Sequence, residues 1–153
     1  EIVAGVIYNP ATDEMFHAEK GRGAWLADRR LRVAERKHFD EAVIATGTPY
    51  IGRPGQARFL KELHQIMPHC AGIRRMGSAA LDLAWVAAGR YDGFWERGLK
   101  SWDIAAGIIL VKEAGGFVSE ADSGDNILET GNIAAGNEPM LAEVLARLKK
   151  AAV

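Results

Sequence analysis

The stretch that constrains this chain most is SWDIAAGIILVKEAGG, residues 101–116. Its apolar residues, Ile104, Ala105, Ala106, Ile108, Ile109, Leu110, Val111 and Ala114, leave no clean polar face. A helix that is hydrophobic all round has to be covered on most sides, so other elements must pack around it. Ala105, Ala106 and Gly107 keep its first turns narrow enough for a neighbouring backbone to approach closely. Gly115 and Gly116 supply the left-handed residue on which helices end. One acid, Asp103, stands at the start of this helix, and something must receive its charge. One recipient is the helix's own unpaired N–H groups, because Asp is a favoured N-cap and suits the positive helix end. The other is a metal ion. From the residues alone both stay open.

Around this helix, strands and helices alternate without an internal repeat or a linker, which predicts one mixed α/β layered domain over 1–153. Residues 2–8 are apolar and β-branched and read as a core strand closed by Asn9 and Pro10. With no initiator Met and a start inside such a strand, the chain is expected to continue upstream. Residues 14–19 alternate and predict a hairpin partner, followed by short strands over 24–26 and 30–33. Gly21, Arg22 and Gly23 look like a phosphate loop, but no helix follows, so a tight turn is expected. Further strands are predicted over 42–46, 71–75, 91–95, 117–119 and 132–135, and helices over 56–67, 79–88 and 139–150. Ser78 is an N-cap signal, with Asp82 in the following turns where acids suit the helix dipole. The loop after Thr46, with Gly47, Thr48, Pro49 and Tyr50, is the kind of strand end at which α/β proteins place ligands.

A formal net charge of −1 gives no reason to expect nucleic acid or an anionic membrane as a general partner. The single cysteine, Cys70, cannot form an internal disulfide, which suits a reducing cytoplasm. No apolar run reaches the roughly 18–20 residues that span a bilayer. His17, His38, His64 and His69 lack zinc spacing, and no G-x-S-x-G or Cys/His pattern points to covalent catalysis. The segment 122–126, with Asp122 and Asp125 around Gly124, has too few acids for a calcium loop and reads as a surface turn. The basic cluster Arg29, Arg30, Arg32, Arg36 and Lys37 reads as a solvated edge or, more sharply, as a patch for a partner. Trp102 is expected to be a packing anchor. Arg97 and Lys100 flank the same turn and read either as exposed turn residues or as cations that attract a phosphate, and no catalytic role is assigned to them.

W-D-x-A-A-G at 102–107 followed by E-A-G-G at 113–116 closely resembles the second signature of the inositol monophosphatase family of metal-dependent, lithium-sensitive phosphatases. The likeness extends to GSAALDL at 77–83, AAGRYDGFWE at 87–96 and TGNIAAGN at 130–137. It covers nearly the whole chain and looks most like the bacterial branch that includes the extragenic suppressor protein. The resemblance implies an α-β-α-β-α sandwich of which this chain is the C-terminal half, with a mixed β-sheet and flanking helices. It implies Mg²⁺ as cofactor, Asp103 as a metal ligand, and Glu96, Ala79 and Ser78 as substrate-binding residues, Ala79 through its backbone N–H. The remaining ligands and the catalytic residues belong to an N-terminal half with a D-P-x-D-G-T motif that this sequence lacks. The fragment alone is therefore expected to be inactive.

Residue chemistry agrees with that implication. Hard carboxylate oxygens suit Mg²⁺, and a carboxylate can accept hydrogen bonds from vicinal hydroxyls. The expected activity is hydrolysis of inositol monophosphate or a related polyol phosphate, by a cytoplasmic protein that is commonly a homodimer. Fructose bisphosphate, histidinol phosphate and nucleotide 3′-phosphate are alternative substrates on the same architecture. The resemblance to the extragenic suppressor branch implies another class of function, regulatory binding to the transcription machinery, for which Arg74 and Arg75 and the basic cluster are the motivating residues.

Overall fold

Strands β1 (Ala4–Asn9), β2 (Glu14–Glu19), β3 (Gly23–Leu26) and β4 (Arg29–Arg30) form an antiparallel sheet in chain order. The computed structural model describes residues 1–152. Period-two alternation sets the two faces of this sheet. Ile7, Phe16, Ala18 and Ala24 point inward and are buried, whereas Val6, Tyr8 and Met15 point outward and are exposed. Residues 2–8 are therefore not a core strand. The strand starts at Ala4, lies at the sheet edge and buries one face only. The strand expected over 30–33 is likewise reduced to Arg29–Arg30, after which Leu31 turns into the core.

The second sheet holds β5 (Val43–Thr46), β6 (Gly72–Arg74), β7 (Gly93–Glu96), β8 (Phe117–Glu120) and β9 (Ile133–Gly136) in the order β6-β5-β7-β9-β8. β5 runs parallel to β6 and β7, while β9 runs antiparallel to β7 and β8. The helices are α1 (Gln56–Ile66), α2 (Ala79–Ala87), α3 (Ser101–Glu113), the single turn α4 (Ile127–Thr130) and α5 (Glu138–Ala151). Residue patterning did not indicate α4, which is too short to display a helical period.

Between the two sheets lie α2 and α3, and this explains why α3 lacks a polar face. Ile104, Leu110 and Val111 are fully buried in one core with Ile7 and Phe16 of the first sheet and Phe94 and Ile133 of the second. Burial of each such side chain is worth roughly 1.5–3 kcal/mol. On the far side of the second sheet, α1 and α5 enclose a second core around Ile44, Trp95, Ile66, Met140 and Val144. The layers therefore run β-α-β-α, with the outer face of the first sheet uncovered among the described residues.

Small residues allow these layers to approach. A Cβ on Gly107 would lie 2.5 Å from Leu83 Cδ1 of α2, and one on Gly5 would lie 2.8 Å from Ala106 Cα of α3. At its far end α3 is fastened to the first sheet, where Gly21 and Gly23 donate their N–H groups to Glu113 at 2.9 and 2.8 Å. The G-x-G segment is thus a tight turn whose amides bind a carboxylate of the chain itself.

Candidate active site

Strand β7 delivers Glu96 to the same sheet edge from which the loop after β5 departs, because the two strands are parallel and Thr46 pairs with Trp95. The N-termini of α2 and α3 open onto that edge as well. Together they border one open cavity of about 410 Å³, whose lining includes Thr48, Ser78, Ala79, Glu96 and Asp103. The four site residues expected from the sequence are thus brought to one place, from three separate segments. Two helix N-termini facing a cavity favour an anionic ligand.

Each residue has a local reason for its position. Ser78 is the N-cap of α2, with its side chain accepting from the Leu81 N–H at 3.5 Å. That leaves Ala79 as the first helical residue, with an N–H that no turn of the helix uses. Asp103 occupies the third helical position of α3 rather than the N-cap, which is Lys100. Its Oδ2 accepts from the Lys100 N–H at 2.8 Å, and its own N–H donates to the Lys100 carbonyl at 2.9 Å. One carboxylate oxygen therefore closes the helix start, and Oδ1 makes no hydrogen bond among the described residues. The two roles left open by the sequence, helix capping and ligand binding, are compatible in one side chain.

The turn joining Glu96 to Asp103 is pinned by the TGN segment. Gly98 donates its N–H to Asn132 Oδ1 at 3.0 Å, and Leu99 donates to the Gly131 carbonyl at 3.0 Å. Gly131 has φ +66°, and a Cβ there would lie 1.9 Å from the Leu99 carbonyl oxygen. Only glycine fits such an approach with that backbone.

The cavity is electrically mixed. Arg53 and Arg75 line it beside Glu96, with Arg75 Nε donating to Thr48 Oγ1 at 3.1 Å and Arg53 placed 5.6 Å from the centre of the Tyr50 ring. Burial pushes the Glu96 carboxyl up to about 7 against the opposing pull of Arg53 and Arg75, with Asp103 adding to the rise. Behind it, in α2, Asp82 is fully buried and neither of its carboxyl oxygens has a hydrogen-bond partner among the described residues. Burial and then the charge of Glu96 push Asp82 up to about 7 as well, with Arg75 opposing. Sequence reasoning treated Asp82 as a dipole-suited helix acid and missed its isolation.

Other expectations need correction. Trp102 is not a packing anchor; it is 78% exposed at the rim of the cavity. Arg97 is not an exposed turn residue. It faces away from the cavity, with Nε 2.6 Å from Glu62 and Nη1 2.8 Å from Asp122. Asp122 begins the expected surface turn, yet Arg97 and Arg58 both hold it. Arg53 and Arg75 were not identified as cavity residues, although both follow parallel strands and the strand-end rule applied to them. Among the described residues no group of three or more His, Cys, Asp or Glu converges as a metal cage, and no helix is long and apolar enough to cross a membrane.

A sequence model of the inositol monophosphatase family matches residues 1–153. The chain is 53% identical to the inositol-1-monophosphatase of Caulobacter vibrioides, over 98% of its own length and 59% of that protein. It is 45% identical to the Nus factor SuhB of Escherichia coli, over 94% of its own length and 54% of that protein. The solved structure of the extragenic suppressor protein suhB from Bartonella henselae superposes with a TM-score of 0.94 at 54% identity, covering 97% of this chain and 57% of that one. The chain thus spans a little over half the length of these relatives.

Proposed function

The chain belongs to the inositol monophosphatase family, and from that premise we propose that it is the C-terminal part of a Mg²⁺-dependent phosphatase acting on inositol monophosphate or a related polyol phosphate. The observation that carries this reading is the convergence of Asp103, Glu96 and the α2 N-terminus on one open cavity. Asp103 would hold a divalent cation through its uncommitted Oδ1, a hard oxygen donor of the kind Mg²⁺ takes with few protein carboxylates. When bound, such a cation supplies an acidified water and charge screening for the phosphate ester.

The chain's own residues recognise the alcohol. Glu96 accepts hydrogen bonds from ring hydroxyls, and the Ala79 N–H donates to another, with Ser78 holding the start of α2 in place beneath them. No group in this chain is assigned as the base that activates water. The uncovered face carrying Val6, Tyr8 and Met15 is the seat we assign to the segment by which the relatives exceed this chain. Cytoplasmic location and a homodimer go with this reading.

Phosphate release from inositol monophosphate by the full-length polypeptide is the test. It is expected to require Mg²⁺, to fall with lithium, and to drop at least a hundredfold in Asp103→Asn. The 153-residue chain alone is expected to release none. Wild-type turnover in Asp103→Asn would overturn the ligand assignment, and a panel including fructose bisphosphate, histidinol phosphate and nucleotide 3′-phosphate fixes the substrate.

The relatives named Nus factor SuhB support a second reading, regulatory contact with the transcription machinery. Arg29, Arg32, Arg74 and Arg75 are all exposed, and Arg75 also donates to Thr48 at the cavity. Capture of that machinery that survives Asp103→Asn and is lost when Arg29, Arg32 and Arg74 are reversed to Glu would favour it.

A further inference from the structure

Glu62 lies in α1, is 1% exposed, and accepts three hydrogen bonds. Its donors are Trp95 Nε1 at 3.2 Å, Arg97 Nε at 2.6 Å and Arg58 Nε at 3.1 Å. Two of these donors are the immediate neighbours of Glu96. Side chains alternate along a strand, so a grip on Trp95 and Arg97 from the α1 side turns Glu96 towards α2 and α3, where the cavity opens. Arg97 is anchored a second time through Nη1 to Asp122 at 2.8 Å, and Arg58 binds Asp122 too.

Position explains why such a grip matters. Glu96 is the last paired residue of β7, with Gly98 at φ +66° two residues on. Strand ends fray unless something beyond the last pair is tied down. On its cavity side the Glu96 carboxyl has little room, since a Cβ on Gly47 would come within 2.0 Å of its Cδ. A small tilt of the strand end would therefore move the carboxylate along the cavity wall. Stability alone is a weak reason for a buried charge at position 62, because replacing a buried ion pair by hydrocarbon of similar volume is often neutral or stabilising.

We propose that Glu62 is a positioning residue for substrate recognition: by holding Trp95 and Arg97 from behind the sheet, it fixes the direction in which Glu96 presents its carboxylate to the polyol. The proposal rests on the reading of Glu96 as the hydroxyl-binding acid, and its test separates the two.

In the full-length polypeptide, kcat and KM are measured for inositol monophosphate and for 4-nitrophenyl phosphate, which has no hydroxyl ring. The variants are Glu62→Gln, the volume-preserving Glu62→Leu/Arg97→Leu, and each of these combined with Glu96→Gln. The expected result is an approximately tenfold fall in the ratio of kcat/KM for the two esters, carried by the inositol KM, and no further fall once Glu96 is Gln. An equal loss on both esters, or the same loss in the Glu96→Gln background, would reduce Glu62 to a structural residue and overturn the proposal. If neither ester is hydrolysed, the phosphatase reading fails and the clamp is decided by carbon-13 titration of the Glu96 carboxyl. A midpoint that moves by a unit or more in the charge-neutral Glu62→Leu/Arg97→Leu supports it, and an unmoved midpoint overturns it.

Discussion

The carboxyl group of Glu96 rests directly on Gly47: a Cβ added to that glycine would lie 2.0 Å from Glu96 Cδ and 2.1 Å from Oε1. The obstacle is the far end of a side chain, so Gly47→Ala is expected to displace the carboxylate while the strands stay in place. On the phosphatase reading, the KM of the full-length polypeptide for inositol monophosphate should rise about tenfold, equivalent to ~1.4 kcal/mol, with the unfolding midpoint nearly unchanged. Steady-state kinetics and thermal unfolding of the same variant check both parts.

Glu96, raised to about 7 by burial, is increasingly protonated as pH falls through neutrality. Only the carboxylate accepts hydrogen bonds with both oxygens. On the phosphatase reading, the KM of the full-length polypeptide for the polyol phosphate should therefore improve between about pH 6 and 8, along a limb that reports this group. Glu96→Gln should remove the limb, and pH profiles of the two proteins give the comparison. A limb that persists in Glu96→Gln would belong to another group.

Asp82 has its folded value near 7, above that of the unfolded chain, so the fold binds the extra proton between about pH 4 and 7. Its contribution to stability is full below that window and is lost as pH rises through it. Asp82→Asn removes a buried, unpartnered charge and should be more stable than wild type at pH 8 by about 1–3 kcal/mol. The advantage should vanish near pH 4. Urea unfolding at the two pH values reads the difference, with Glu96 contributing a parallel decline in both proteins.

Gly131→Ala places a methyl group 1.9 Å from the Leu99 carbonyl oxygen at a residue whose φ is +66°. Neither the backbone obstacle nor the dihedral can yield cheaply, so a loss of about 2–3 kcal/mol is expected. Gly131 pins the turn that carries Glu96 towards Asp103, so in the full-length polypeptide substrate affinity should weaken along with the melting temperature. Differential scanning calorimetry and KM measure the two effects.

Much of this arrangement was legible because local chemistry and global position agreed. The all-apolar α3 announced a helix enclosed between layers, and Gly47, Ser78 and Asp103 announced strand and helix ends of the type that meet at ligand sites. The core-strand reading failed at residues 2–8 because Val6 and Tyr8, though apolar, face outward; hydrophobicity identifies a strand but not whether both its faces are covered. Trp102 failed for a related reason, since a large apolar ring suits a core and a cavity rim equally. The Glu62 cluster could not be read from spacing at all. Its members Arg58, Glu62, Trp95, Arg97 and Asp122 come from three distant segments, and only tertiary packing assembles them.

The open outer face of the first sheet bears on how this polypeptide behaves by itself. A raft of valine, tyrosine and methionine beside an unpaired strand edge invites self-association, so the isolated chain should aggregate in a concentration-dependent way. Supplied in trans with the remainder of a full-length relative, the same raft should serve as a reassembly surface, and co-purification of the two pieces checks it.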